Sequence, residues 1–183
     1  MLKMKNYILC SICLAAITGF DLPVTGQQAG DNEYSLKASF ILNFAKYVDW
    51  PESKDIQRDQ KFIIGILGQD PFGPEIETLR NKKIRDTKIE IMHFNRTGEI
   101  SRCNILFISS SEISNLKIIL NDLRGKEILT VGDTEGYAGE GVMINLYRSD
   151  NRLSFEINKK AAEDAGLKIS SHLLKLGKIV ESK

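Results

Sequence analysis

Three short runs constrain this chain more than anything else in it: "KFIIGILG" at 61–68, "CNILFIS" at 103–109 and "EILTVGD" at 127–133. Each is apolar on consecutive residues, and each stops at a glycine, serine or aspartate. A strand with one wet face alternates polar and apolar residues. A strand apolar throughout has both faces covered, which is the condition of a parallel sheet between helices. The intervening segments fit that reading. "PFGPEIETLRN" reads as a short helix, and "SSEISNLKIILNDLRG" as an amphipathic one that opens on serines and closes at Gly125. "KIEIMHFN" alternates as a strand, and "GVMINLY" and "RLSFEIN" form a hairpin across "RSDN". "KKAAEDAGLKISSHLLKLGKIV" is expected to be helical on either side of Gly166. The expected fold is α/β, a single domain with a mainly parallel central sheet flanked by helices on both faces. The hairpin near the C-terminus adds antiparallel pairing. A chain of 183 residues, 42% apolar, suffices for one such core.

Residues 1–26 stand apart from that domain. "MLKMK" is a basic start, "YILCSICLAAI" an apolar run shorter than the roughly 20 residues that span a bilayer, and "GFDLPVTG" a small-residue end. This is the pattern of a secretory signal peptide, cleaved after Gly26 or nearby, with an uncleaved anchor as the alternative. Residues 27–33 are expected as a disordered start. The leader holds Lys3, Lys5 and Asp21, so of 25 basic and 24 acidic residues 23 of each sign remain. A neutral chain without a basic stripe lacks the phosphate-neutralising charge on which nucleic-acid binding depends. Cys10 and Cys13 leave with the leader, so Cys103 stands alone and no internal disulfide is expected.

"YSLKASFILNFAKYVDWP" places Leu36, Phe40, Phe44 and Val48 at helical spacing, with Ile41 and Ala45 on the adjoining row. Pro51 disfavours helix at Trp50 and closes the segment. Five of the twelve aromatic residues after the leader fall here, more than one buried face needs. Tyr47 and Trp50, at the helix end, are therefore the candidates for a partner surface, with burial of Trp50 as ordinary core the equal alternative.

Catalytic and metal patterns are missing. His93 and His172 are the only histidines, and neither belongs to an H-E-x-x-H pair. "ISSSE" contains no G-x-S-x-G. In "GDTEGYAGEG" the glycines run G-x-x-G-x-G, the dinucleotide fingerprint reversed, and a strand follows where the fingerprint needs a helix. No cofactor is expected, and a glycine-rich reversal is the simpler reading. Two loops still leave the carboxyl ends of expected parallel strands, where open α/β sheets bind ligands. They make a candidate crevice of Gly68, Asp70, Pro71 and Gly73 on one side and Gly132, Asp133, Gly136, Gly139 and Gly141 on the other. A hydrolase using Asp70 and Asp133 as an acid/base pair ranks below a ligand-binding module.

Taken together, "YSLKASFILNFAKYVDWP", "LGQDPFG", "CNILFIS", "LTVGDTEGYAGEGVMINL", "FEIN" and "AAEDAGLKISSHLLKLGK" resemble the YfiR-like family of bacterial periplasmic proteins, in the family's order, from Tyr34 to Lys178. The resemblance implies an α/β domain at 34–178, a tail at 179–183, no catalysis, and a regulatory role. The implied partner is a membrane-anchored signalling protein, a diguanylate cyclase or a sensor kinase, whose periplasmic domain is restrained; a homodimer is a further expectation. A periplasmic small-ligand-binding module serving a receptor, sensor kinase or transporter is the alternative. Where many members carry a cysteine ahead of the first loop, this chain has Gly65, so disulfide-based redox control is not carried over.

Overall fold

The computed structural model describes residues 27–51, 61–150 and 152–182; the leader and the whole of the charged link "ESKDIQRDQ" lie outside the described residues. Helix α1 (Gln27–Tyr47) runs into β1 (Val48–Asp49). The first apolar run is β2 (Phe62–Leu67), followed by α2 (Pro74–Glu77), β3 (Lys83–Ile84) and β4 (Thr87–Phe94). The second run is β5 (Ile105–Ile108), from which a 3-10 turn at Ser110–Asn115 leads into α3 (Leu116–Asp122). Then come β6 (Leu129–Gly132), α4 (Tyr137–Glu140), β7 (Ile144–Ser149) and β8 (Arg152–Asn158). The chain closes with α5 (Lys159–Asp164), β9 (Lys168–Ile169), α6 (Ser171–Leu176) and β10 (Lys178–Val180).

Eight strands form one sheet in the order β10-β8-β7-β6-β5-β2-β4-β3. From β4 to β7 all neighbours are parallel, and the β7–β8 hairpin is antiparallel, as the apolar runs and the turn between them require. Alternate residues of the central strands feed two cores. Phe62, Ile64, Ile66, Ile105, Phe107, Leu129 and Val131 join the α1 side, where Ile41, Phe44, Ala45 and Val48 are buried. Leu67, Leu106 and Ile108 join the α3 side with Leu116, Ile119 and Leu123.

Several local expectations need correction. The buried row of α1 is Lys37, Ala38, Ile41, Phe44 and Ala45, continued by Val48 of β1, while Leu36 is 45% exposed and Phe40 half-buried. Leu36 sits one position, about 100°, round the helix from Lys37. Residues 27–33, expected as a disordered start, are helical. They carry no apolar stripe, but extending an existing helix needs no new nucleus. Past Gly166, whose φ of 76° ends α5, the chain is not at once helical: Lys168 and Ile169 pair as a strand with Asp49 and Val48. The helix resumes only after Ser170, whose Oγ accepts the Leu173 N–H. Within the expected tail, Ile179 and Val180 pair with β8.

Candidate functional site

The chain steps from β2 to β4 on one side of the sheet, then to β5, β6 and β7 on the other. Ligands of doubly wound sheets bind where the order reverses, here above the carboxyl ends of β2 and β5. The loop on the β2 side is tightly packed. Gly68, at φ 87°, follows β2, and a Cβ there would lie 2.8 Å from Glu112 Cγ of the 3-10 turn. Ser111 Oγ accepts the Gln69 N–H at 2.9 Å, pinning turn to loop. Asp70 Oδ1 accepts the Phe72 N–H at 2.7 Å, and Oδ2 lies 3.0 Å from His93 Nε2. Pro71 is half-buried beside it, and Gly73, exposed at φ 54°, delivers Pro74 to the start of α2.

The second predicted loop meets α1 instead. Asp133, directly after β6, accepts a hydrogen bond from Lys37 Nζ at 2.8 Å and one from the Tyr34 hydroxyl at 3.3 Å. Lys37 also pairs with Glu33 at 2.8 Å, and Glu33 accepts from Arg148 of β7 at 2.8 Å. The side chains of Lys37 and Asp133 are 7% and 8% exposed, so this pair is almost out of water, while Arg148 at the outer end of the chain of charges is open to it. Asp70 and Asp133 are thus held by different partners and form no hydrogen-bonded dyad. The two loops communicate through rings: Phe72 packs edge-on against Tyr34 at 5.3 Å and against Phe107 at 4.7 Å.

Burial pulls the Lys37 ammonium down, but its hydrogen bonds to Asp133 and Glu33 outweigh that and raise it above the usual lysine value. Burial, reinforced by the Asp133 charge, pushes the Tyr34 phenol up. Hydrogen bonds from Lys37 and then Arg148 hold the Glu33 carboxyl below its ordinary value. A depressed carboxyl contributes stability that is complete above its unfolded pKa, about 4.3, and is lost as the pH falls through the folded value. The urea midpoint of wild type should therefore drop on acidification below about pH 4.3. Glu33→Gln should start lower at neutral pH and fall less steeply; parallel curves would exclude the Glu33 contribution.

Gly132 sits under the Tyr137 ring, 2.6 Å from where a Cβ would be, and the Tyr137 hydroxyl donates to Ser109 C=O across the sheet end. The glycine-rich segment beyond is no simple reversal. Gly136 at φ 85° and Gly141 at φ 115° bracket the single turn of α4, with Gly139 half-buried inside it. Between this loop, α1 and the β7–β8 hairpin lies an open groove of about 520 Å³ lined by Asp133, Glu135, Gly136 and Arg148 among others. Sequence reasoning found Asp133 and Gly136 but missed Glu33, Lys37 and Arg148. The available signal was Lys37 itself, one turn before Ile41 and in line with Phe44 and Val48, with Glu33 four residues earlier.

At the other end of α1, Tyr47 is 39% exposed and its ring lies 5.1 Å from that of His172. Trp50 is half-buried, edge-on to Phe62 at 5.4 Å and packed on the core. Cys103 is buried, its thiol donating to Ile105 C=O. It faces Gly65, where a Cβ would stand 3.0 Å from its sulfur. Among the described residues no group of His, Cys, Asp and Glu suits a metal, and no helix is long and apolar enough to cross a membrane.

Fold and site together define a doubly wound α/β module whose loop after β2 is pinned to the 3-10 turn and whose buried Lys37 and Asp133 neutralise one another. The chain belongs to the YfiR/HmsC-like family, whose model matches residues 34–178. That is a regulatory, non-catalytic family of periplasmic proteins, and it implies interaction with a membrane signalling protein. No curated protein matches the chain.

Proposed function

We propose that this chain is exported by the leader at 1–26 and restrains the periplasmic domain of a membrane signalling protein, foremost a diguanylate cyclase, keeping cyclic di-GMP low. The observation that carries this reading is membership of the YfiR/HmsC-like family over residues 34–178. The close packing of Gly68 against the Ser111–Glu112 turn supports it, because it narrows one side of the place where such sheets hold small ligands. On α1, Tyr47 is the aromatic side chain open enough to meet a partner, and Trp50 is committed largely to Phe62.

Restraint requires that binding favour one state of the partner; moving a balance from 1:99 to 99:1 takes about 5.5 kcal/mol of differential affinity. A protein interface of ordinary size supplies that. Deletion of the gene, with cyclic di-GMP then measured in cells, should give a rise. An unchanged level would remove the cyclase reading. A metabolite that raised the melting temperature of the purified protein without any partner would favour the small-ligand module in its place.

A further inference from the structure

The groove beside Asp133 has a backbone wall as well as charged side chains. Met143 C=O accepts the Asn158 N–H at 2.8 Å, and the facing pairs of β7 and β8 run without interruption from Ile144↔Ile157 to Ser149↔Arg152. Antiparallel alternation then gives the backbone groups of residues 145, 147 and 149 to β8 and turns those of 144, 146 and 148 the other way, toward β6. Yet β6 pairs with β7 only at Val131↔Ile144 and Gly132↔Asn145, because β6 ends at Gly132 and the chain leaves in the Asp133–Gly136 loop. Beyond Asn145 the outward backbone of β7, the C=O of Leu146 and the N–H and C=O of Arg148, borders open groove. Such an edge is a template for another strand.

The groove also selects by charge. Glu33, Asp133, Glu135 and Glu156 line it against Lys37 and Arg148. Lys37 and Arg148 are both taken up by Glu33, Lys37 in addition by Asp133, and Lys178 engages Glu156 from the adjoining strand. Glu135, exposed on the loop, has no partner among the described residues. We propose that an extended segment of the membrane partner, carrying basic side chains, docks here as a strand added to the free edge of β7. This rests on the regulator reading and names the surface it would use. Backbone hydrogen bonds to residues 146 and 148 would hold the segment, and the unpaired carboxylate of Glu135 would favour its basic side chains.

Fluorescence anisotropy with a labelled Lys-Val-Lys-Val-Lys peptide and the purified chain tests this directly. The peptide should bind, more weakly as salt rises, and its Glu-Val-Glu-Val-Glu counterpart should not. Methylating the backbone nitrogens of the basic peptide should weaken binding about tenfold, as the loss of one or two backbone hydrogen bonds would. Arg148→Pro, which removes an outward N–H, should do the same, while Arg148→Gln, which removes only the charge, should still bind. Equal affinity for the methylated peptide would mean charge attraction without strand addition and would overturn the proposal even if Arg148→Pro failed to fold. No binding of the basic peptide to the purified chain, alongside a rise in cyclic di-GMP on deletion in cells, would sink the groove and leave the regulator reading intact.

Discussion

Lys37→Met should cost this protein about 3–5 kcal/mol at neutral pH, the loss expected when one partner of a buried ion pair is removed. The reason lies with the group left behind. Asp133 is 8% exposed on its side chain, and without the ammonium its remaining donor in the network is the Tyr34 hydroxyl at 3.3 Å. Glu33 keeps Arg148, so the damage concentrates on Asp133. An uncompensated buried carboxylate takes up a proton more readily folded than unfolded, so its folded pKa rises and the penalty applies above that value. The variant should accordingly recover part of its deficit between pH 7 and pH 5. Adding Asp133→Leu should restore most of the loss at neutral pH, since a buried pair replaced by apolar groups is often neutral. Urea unfolding of the three proteins at both pH values reads all of this. A single-variant loss below about 1 kcal/mol, typical of an exposed pair, would show that water reaches Asp133 and that the network is superficial.

The parallel sheet was legible because burial on both faces leaves a mark on every residue of a strand. "FIIGIL", "ILFI" and "LTVG" are the three central strands almost to the residue. The loops at their ends were legible for the same reason, since Gly68 and Asp133 are where apolar runs stop. What the pattern hid was pairing across long separations. Lys168 and Ile169 carry no strand signature, and are extended because Val48 and Asp49 wait beside them. The site failed similarly. Asp70 and Asp133 both sit at strand ends, but which side chain reaches each depends on α1 and β4, and a one-residue phase error on α1 hid Lys37 behind Leu36. A hydrophobic stripe read by spacing alone counts Leu36 as core and Lys37 as solvent, although a lysine stem packs well along apolar surface when a carboxylate waits at its end.

Phe44→Ala is the other large effect expected, about 3–5 kcal/mol, as for aromatic truncation in a close-packed core. Phe44 is 1% exposed and stands edge-on to Phe155 at 5.3 Å and to Phe40 at 6.0 Å, so its removal opens a hole between α1 and β8 that two rings border. Phe155 cannot close it freely, because its ring lies against Gly177, where even a Cβ would come within 2.6 Å of it. At roughly 2–4 °C per kcal/mol for a chain of this size, the melting temperature should fall by about 6–20 °C. Trp50→Ala supplies the comparison along the same helix-to-strand segment. Its ring is half-buried and borders Phe62 at 5.4 Å, so the loss should be smaller, within the roughly 0.5–3 kcal/mol of ordinary substitutions. The order of the two melting temperatures is the decisive reading. If Trp50→Ala unfolds as early as Phe44→Ala, the indole is full core and has no ring face left for a partner. If it melts like wild type, the Phe62 contact contributes little and Trp50 joins Tyr47 as an anchor on the partner surface.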